Sequence, residues 1–233
     1  MSRAQKGWMG IFGITTILIF INVVVFLALS LIGLFYRLAG KAAVFEQVTS
    51  LLVLNPALFF QGHVWTIITS MFMHANLTHL FVNMVSLFFL GMFIEKLIGR
   101  KRYLLFYLVS GIIAGLFFVF LAAVGSAVPS TVSLFGTLEI SAVGASGAIF
   151  GLGGLLAVLL PRMKVLVFFV IPMRLWAAML VLMFGLWVFS AVAGLPIGNS
   201  AHFGGLLVGL VYGFYLRGRF PKKIQMLNRM FGS

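Results

Sequence analysis

The chain has 233 residues, of which 63% are hydrophobic and 8% charged, with a mean hydropathy of +1.20. A soluble domain is about half apolar and about a quarter charged, and a disordered chain is poorer still in apolar residues, so both classes are excluded and the apolar content must face lipid. The formal charge of +13 comes from 16 Lys and Arg against three acidic residues. No basic stretch interleaves with aromatics, so the excess reads as the cytoplasmic loops of a polytopic membrane protein and not as a nucleic-acid footprint.

Six apolar runs follow one another along the chain. The first, Ile11 to Tyr36, is interrupted mainly by Asn22 and Ser30. No small-residue cleavage site follows a short apolar core, so it reads as a retained signal anchor. The connection after it, about Leu38 to Thr78, is long and itself apolar. It is expected to lie partly in the interface or outer leaflet as short helices, with Trp65 near headgroup level. The second run spans about His79 to Leu97 and the third Tyr103 to Val124; the loop Gly125 to Val143 is rich in Ser, Thr, Pro and Gly and reads as an outer loop. The fourth run spans about Ser146 to Leu160. Between Lys164 and Arg174 lies an uncharged stretch containing Pro172, too short to span and expected to be an extended or re-entrant cytoplasmic piece. The fifth run is about Leu175 to Ala193 and the sixth about Ala201 to Leu216. Runs of this length without two-residue alternation argue helices over barrel strands. The expectation is one all-α domain, residues 1–233, with six transmembrane helices (core about 11–217), a long membrane-associated first loop and short basic tails.

Fourteen basic residues fall on one side of a six-span arrangement: Arg3 and Lys6, the Lys96 to Arg102 cluster, Arg162, Lys164 and Arg174, and five in the C-terminal tail. Arg37 and Lys41 alone fall on the other. That asymmetry places both termini in the cytoplasm.

Ionisable and amide side chains are costly in lipid and therefore mark candidate sites. His79 and Asn83, four residues apart, share a helix face at the start of the second span. Ser146 opens the fourth span and His202 the sixth. Spans two, four and six all run from outside to inside, so the four residues meet in one outer layer. Ser146 precedes the helix-breaking Pro161 by about 22 Å of helix, against a hydrocarbon core of about 30 Å, which sets it on the order of 8 Å below the outer surface. Residues 141–145 would then be irregular backbone at membrane depth, tolerated where protein or a wet cavity surrounds it. A helix N-terminus offers free N–H groups to an oxyanion. The fourth span holds Gly147, Gly151, Gly153 and Gly154 and the sixth Gly204, Gly205, Gly209 and Gly213; the series Gly205, Gly209, Gly213 forms one smooth stripe that allows close helix contact and so would bring Ser146 towards His202.

The remaining polar residues have simpler readings. His74 precedes the second helix and supports the first connection; His63 is an interfacial loop residue. Ser110, Ser86 and Ser190 are expected to be bonded back to their own helices. Glu95 lies at the inner end of the second span, Glu139 in the outer loop and Glu46 near the interface. No cysteine, no Asp and no HExxH occur, so no disulfide, thiolate site or zinc-protease helix is expected.

The sequence strongly resembles the rhomboid intramembrane serine proteases. The serine motif GxSG stands as Gly144-Ala145-Ser146-Gly147, the histidine motif as His202 with Gly205 and Gly209, and HxxxxHxxxN as His74, His79 and Asn83. The second position after Ser146 excludes the GxSxG of soluble hydrolases, since Ala148 stands where the last glycine would be. The resemblance implies that Ser146 is the nucleophile, that His202 is the general base and then acid, and that His79, Asn83 and the Ser146 N–H form an oxyanion hole. Phe150 would pack on His202, and the fifth span with the loop 194–200 would gate the site. Many members carry Arg after the first-connection Trp, where this chain has Thr66 after Trp65. A Ser–His dyad with an acyl-enzyme intermediate needs no metal or organic cofactor. The implied partners are transmembrane protein substrates and the lipid bilayer, with no nucleic acid; the short tails and the absence of a transit-type N-terminus lead to the expectation of a prokaryotic plasma membrane. Two alternatives stand beside this reading: a catalytically inactive relative that binds membrane proteins, which would typically lack the Ser or the His, and a small transporter, which would need polar residues through the inner halves of spans four and six.

Overall fold

The computed structural model describes residues 13–167, 170–193 and 198–231. Arg3 and Lys6, the first two residues of the first apolar run, Phe168 and Phe169 of the short uncharged stretch, and residues 194–197 of the loop before the sixth run lie outside them.

Each of the six apolar runs contains a helix. The first is α1, Ile14–Leu38. The second is continuous from Leu77 to Ile98 and is built of α5, Leu77–Ser86, a single π segment, Leu87–Gly91, and α6, Met92–Ile98. The third is α7, Arg100–Ala127. These three are long and apolar enough to cross a membrane. Two helices are apolar but shorter, α9, Ser146–Leu159, and the stretch Leu175–Ser190 of α10, Leu175–Ala193. The sixth run lies in α11, Asn199–Arg219, and the chain continues into α12, Pro221–Phe231.

The first connection folds as expected into short helices: α2, Ala42–Ser50, α3, Pro56–Phe60, α4, Thr66–Thr69, and a 3-10 turn, Ser70–Phe72. Asn55 caps α3 by accepting from the Leu58 N–H at 3.0 Å, and Pro56 fills the first helical position, where a missing N–H costs nothing. Trp65 and Thr69 tie this layer together by donating to the carbonyls of Leu51 and Leu52, at 2.9 and 2.8 Å. Thr66, where many relatives would have Arg, is fully buried and donates to the His63 carbonyl at 2.6 Å. The connection is thus braced by short-range hydroxyl and indole bonds.

The outer loop holds a 3-10 turn, Pro129–Thr131, and α8, Val132–Phe135. The stretch between Lys164 and Arg174 is extended: β1, Lys164–Val167, pairs antiparallel with β2, Ile171–Arg174, in the register Lys164 to Arg174.

Helix α9 is the axis of the bundle. Every residue from Gly147 to Leu159 is buried, although the stretch has no polar face and would be equally at home in lipid. Its seclusion follows from small residues. A Cβ on Gly205 or Gly209 of α11 would collide with the carbonyl oxygens of Gly147 and Gly151, and a Cβ on Gly154 would sit 2.6 Å from the Leu206 oxygen. On the α7 side, a Cβ on Gly147 would lie 2.7 Å from the Ala114 Cβ. Backbone therefore meets backbone on one side of α9 and small side chain on the other. Many large apolar side chains on the other helices point outward, with Phe20, Phe35, Phe89, Phe120 and Phe214 all exposed, as on a lipid-facing surface.

The opposite end of the second helical segment is pinned by charge. Glu95, buried, accepts from the backbone N–H groups of Ile14 and Thr15 at 2.8 and 2.9 Å and from the Thr15 hydroxyl at 2.8 Å. Arg100 approaches the same carboxylate at 3.4 Å. The carboxylate satisfies orphan donors at the start of α1 and faces the positive end of its dipole. Gly91 gives room for this junction: a Cβ there would lie 2.5 Å from the Tyr103 hydroxyl and 2.9 Å from Thr15.

Candidate active site

The chain enters α9 through residues 141–145, the irregular segment that the sequence places at membrane depth. Ser141 is exposed, residues 142–144 are half-buried and Ala145 is buried. Ala142 and Leu54 exchange backbone hydrogen bonds at 2.8 and 3.1 Å, and the Gly144 N–H donates to the Ser70 carbonyl at 2.9 Å. Three backbone polar groups of this segment are thus paired with the first connection. Gly144 has φ +117°, a conformation that an L side chain rarely adopts. A Cβ there would also lie 2.9 Å from the His79 ring and 3.7 Å from Ser146 Oγ. The absent side chain leaves a gap bordered by both groups.

Ser146 is the first residue of α9 and His202 lies in the first turn of α11. Their Oγ and Nε2 atoms are 2.7 Å apart. The glycine contacts described above are what permit this, since a wider α9–α11 spacing would separate the two side chains. The Phe150 ring, one turn beyond Ser146, stacks on the His202 imidazole with centroids 4.5 Å apart and planes at 16°. For Nε2 to accept the serine proton, the imidazole must carry its hydrogen on Nδ1. That Nδ1 is buried and has no hydrogen-bond partner among the described residues. No carboxylate orients the ring: Glu95 is engaged with α1, and Glu46 and Glu139 are exposed.

His79 and Asn83 stand on one face of α5. Asn76 caps that helix by accepting from the His79 N–H at 2.9 Å. The Ala75 N–H makes a long contact of 3.5 Å to His79 Nδ1, which favours the hydrogen on Nε2, the atom facing the Gly144 gap. Asn83 is buried and donates one amide hydrogen to the His79 carbonyl at 2.8 Å, leaving its second one available. His74 lies edge-on to His79, centroids 5.2 Å apart. Burial, and next the neighbouring His79, push His74 down from 6.5 to about 4, so it is neutral at ordinary pH.

Of the four residues that the sequence expects in one layer, Ser146 meets His202, and both Ser146 Oγ and the His79 ring border the space at Gly144, while Asn83 is bonded to the His79 carbonyl of its own helix. One expectation needs correction. The Ser110 hydroxyl is not bonded back to its helix; it is buried with no partner among the described residues and borders Gly151, where it fills the space that a side chain on α9 would take. Among the described residues no three His, Cys, Asp or Glu side chains converge on a metal-sized site. The role of Glu95 as the cap of α1 escaped the sequence reading. The signal was a lone carboxylate close to the end of an apolar segment, which does not say which helix it faces.

The arrangement can activate a hydroxyl and offer N–H donors beside it. The Rhomboid domain family model matches residues 61–219. RHOMBOID-like protein 1 of Arabidopsis thaliana is 37% identical over 153 residues, 65% of this chain and 34% of that protein. Rhomboid protein 1, mitochondrial, of Saccharomyces cerevisiae is 30% identical over 164 residues, 69% of this chain and 44% of that protein. Rhomboid protease GluP of Bacillus subtilis is 32% identical over 187 residues, 79% of this chain and 32% of that protein. The chain thus spans less than half the length of these relatives. The matched region contains every residue of the convergent site and most of the helices that position it, and the chain belongs to the rhomboid family.

Proposed function

We propose that this protein is an intramembrane serine endopeptidase that hydrolyses peptide bonds in or near transmembrane segments of other membrane proteins. The observation that carries the reading is the 2.7 Å contact between Ser146 Oγ and His202 Nε2 beside the Gly144 gap. In this reading α1, the Leu77–Ile98 segment, α7, α9, α10 and α11 cross the bilayer in one domain, with both termini in the cytoplasm and the site towards the outer face of a prokaryotic plasma membrane.

Ser146 Oγ attacks the carbonyl carbon of the scissile amide while His202 Nε2 takes the serine proton. The developing oxyanion is held by His79 Nε2–H, the free amide hydrogen of Asn83 and the Ser146 N–H at the start of α9. Collapse breaks the C–N bond as the imidazolium gives its proton to the leaving amine. Water then attacks the acyl ester, its proton passing through His202 back to Ser146. The amide of an intact helix is shielded, so the substrate must unwind locally, which favours Gly, Pro or small residues near the cut. The gate assigned to α10 and the following loop would control entry.

The test is cleavage of a model transmembrane substrate by the purified protein. Wild type cuts it; Ser146→Ala and His202→Ala do not. Labelling by a fluorophosphonate is lost in Ser146→Ala. Cleavage that persists in Ser146→Ala rejects the assigned nucleophile, and a folded wild type that neither cuts nor labels favours a binding role.

A further inference from the structure

The end of the molecule opposite the Ser146 site carries an open cavity of about 720 Å³ where α9, α11 and α12 meet. Three guanidinium groups line it from three segments: Arg162 after the end of α9, Arg217 in the last turn of α11, and Arg229 on α12. Gln225 and Asn228 add amides, and no acidic side chain lines the cavity. Among the described residues these arginines have no carboxylate partner. Three cations gathered around one space repel one another unless an anion sits between them, and the guanidinium fork matches a phosphate group.

The cavity wall is built. Ile224 is buried, and the Asn228 amide donates to the Leu159 carbonyl at 2.8 Å and to the Ile224 carbonyl at 2.9 Å. These bonds clamp α12 across the end of α9, and Arg229 of α12 lines the same cavity as Arg162. The outer face of α12 says where the mouth lies. Met226 and Met230 are exposed there, with Lys222 and Lys223 on the same short helix. Exposed apolar side chains among lysines are the mark of a helix lying in a membrane interface, which sets the cavity at headgroup depth.

We propose that this cavity is a binding site for the phosphate group of an anionic phospholipid of the cytoplasmic leaflet. The lipid phosphate sits between Arg162, Arg217 and Arg229, and its acyl chains run along the outside of the bundle. Basic pockets between helix ends on the cytoplasmic side are suited to such headgroups, and the positive-inside distribution of this chain delivers the charge to that leaflet.

Native mass spectrometry of the full chain tests it, with phosphatidylglycerol and phosphatidylcholine supplied in equal amounts. Wild type retains phosphatidylglycerol over phosphatidylcholine by about tenfold, and the variant Arg162→Gln/Arg217→Gln/Arg229→Gln brings the ratio to within about twofold. The variant Arg219→Gln/Lys222→Gln/Lys223→Gln, with the same charge change outside the cavity, keeps the wild-type ratio. Arg217→Gln alone, which leaves the α12 clamp intact, lowers the ratio by about threefold and covers the case in which the triple variant does not fold. An unchanged ratio in Arg217→Gln, or an equal loss in both triple variants, overturns the site. Inorganic phosphate raising the thermal transition as much as phosphatidylglycerol does would overturn the lipid as its occupant.

Discussion

The Phe150 ring lies almost flat on the His202 imidazole, with centroids 4.5 Å apart and planes inclined by 16°. Because His202 Nδ1 has no hydrogen-bond partner among the described residues, this stacking and the Ser146 contact are what orient the ring. A soluble serine hydrolase orients its histidine with a carboxylate; here the aromatic face beside the ring comes from the helix that Ser146 opens.

Phe150→Ala should therefore lower kcat by about 10- to 100-fold, since a ring free to tilt loses its alignment with Oγ, while KM changes by less than about twofold. Phe150→Tyr, which keeps the face, should retain most of the activity. Steady-state cleavage of a fluorogenic transmembrane substrate separates the two parameters. An Ala variant that matches wild type would show that the stacking is packing alone.

The α9–α11 seam tolerates no added carbon at its centre. A Cβ at Gly205 meets the Gly147 carbonyl, whereas one at Gly185 of α10 meets nothing within 4 Å. Gly205→Ala should destabilise the protein by about 1–3 kcal/mol and weaken fluorophosphonate labelling of the folded fraction, because the helices must part where Ser146 and His202 meet. Gly185→Ala should leave both readouts unchanged. Thermal unfolding followed by labelling below the transition measures both effects on one sample.

Glu95 predicts a stability effect without a chemical one. Glu95→Ala strands the N–H groups of Ile14 and Thr15 and the Thr15 hydroxyl, three donors that the carboxylate now satisfies. Stranded buried donors cost about 1–3 kcal/mol each before relaxation, so the unfolding transition should fall by several degrees. Glu95 lies about 24 Å along the helix from His79, so turnover measured below the transition should stay near wild type. A variant with unchanged stability would mean that water replaces the cap at no cost.

His74 should make stability depend on pH. Its pKa falls from 6.5 to about 4 in the folded chain, so between these values the unfolded chain binds a proton that the folded chain refuses. The contribution of the neutral ring is fully present above about pH 6.5 and is lost as pH falls towards about 4. Unfolding measured across that window should show stability rising with pH, with a shallower slope in His74→Gln. An identical slope in that variant would assign the dependence to other groups.

Much of the architecture is written in local pattern. Apolar runs and a lopsided distribution of Lys and Arg reveal the helices, because lipid penalises every unpaired backbone group and every misplaced charge whatever the neighbours are. Ser146, His79, Asn83 and His202 stand out for the same reason: a polar side chain in such a run is costly and therefore conspicuous. What distance in space decides is not visible in that pattern. Glu95 finds the start of α1 some 80 residues away, Ser110 faces Gly151 instead of its own helix, and Arg162, Arg217 and Arg229 come to share one cavity. Each of these depends on which face of one helix meets which face of another. Packing of small side chains sets that choice, and no single segment carries it.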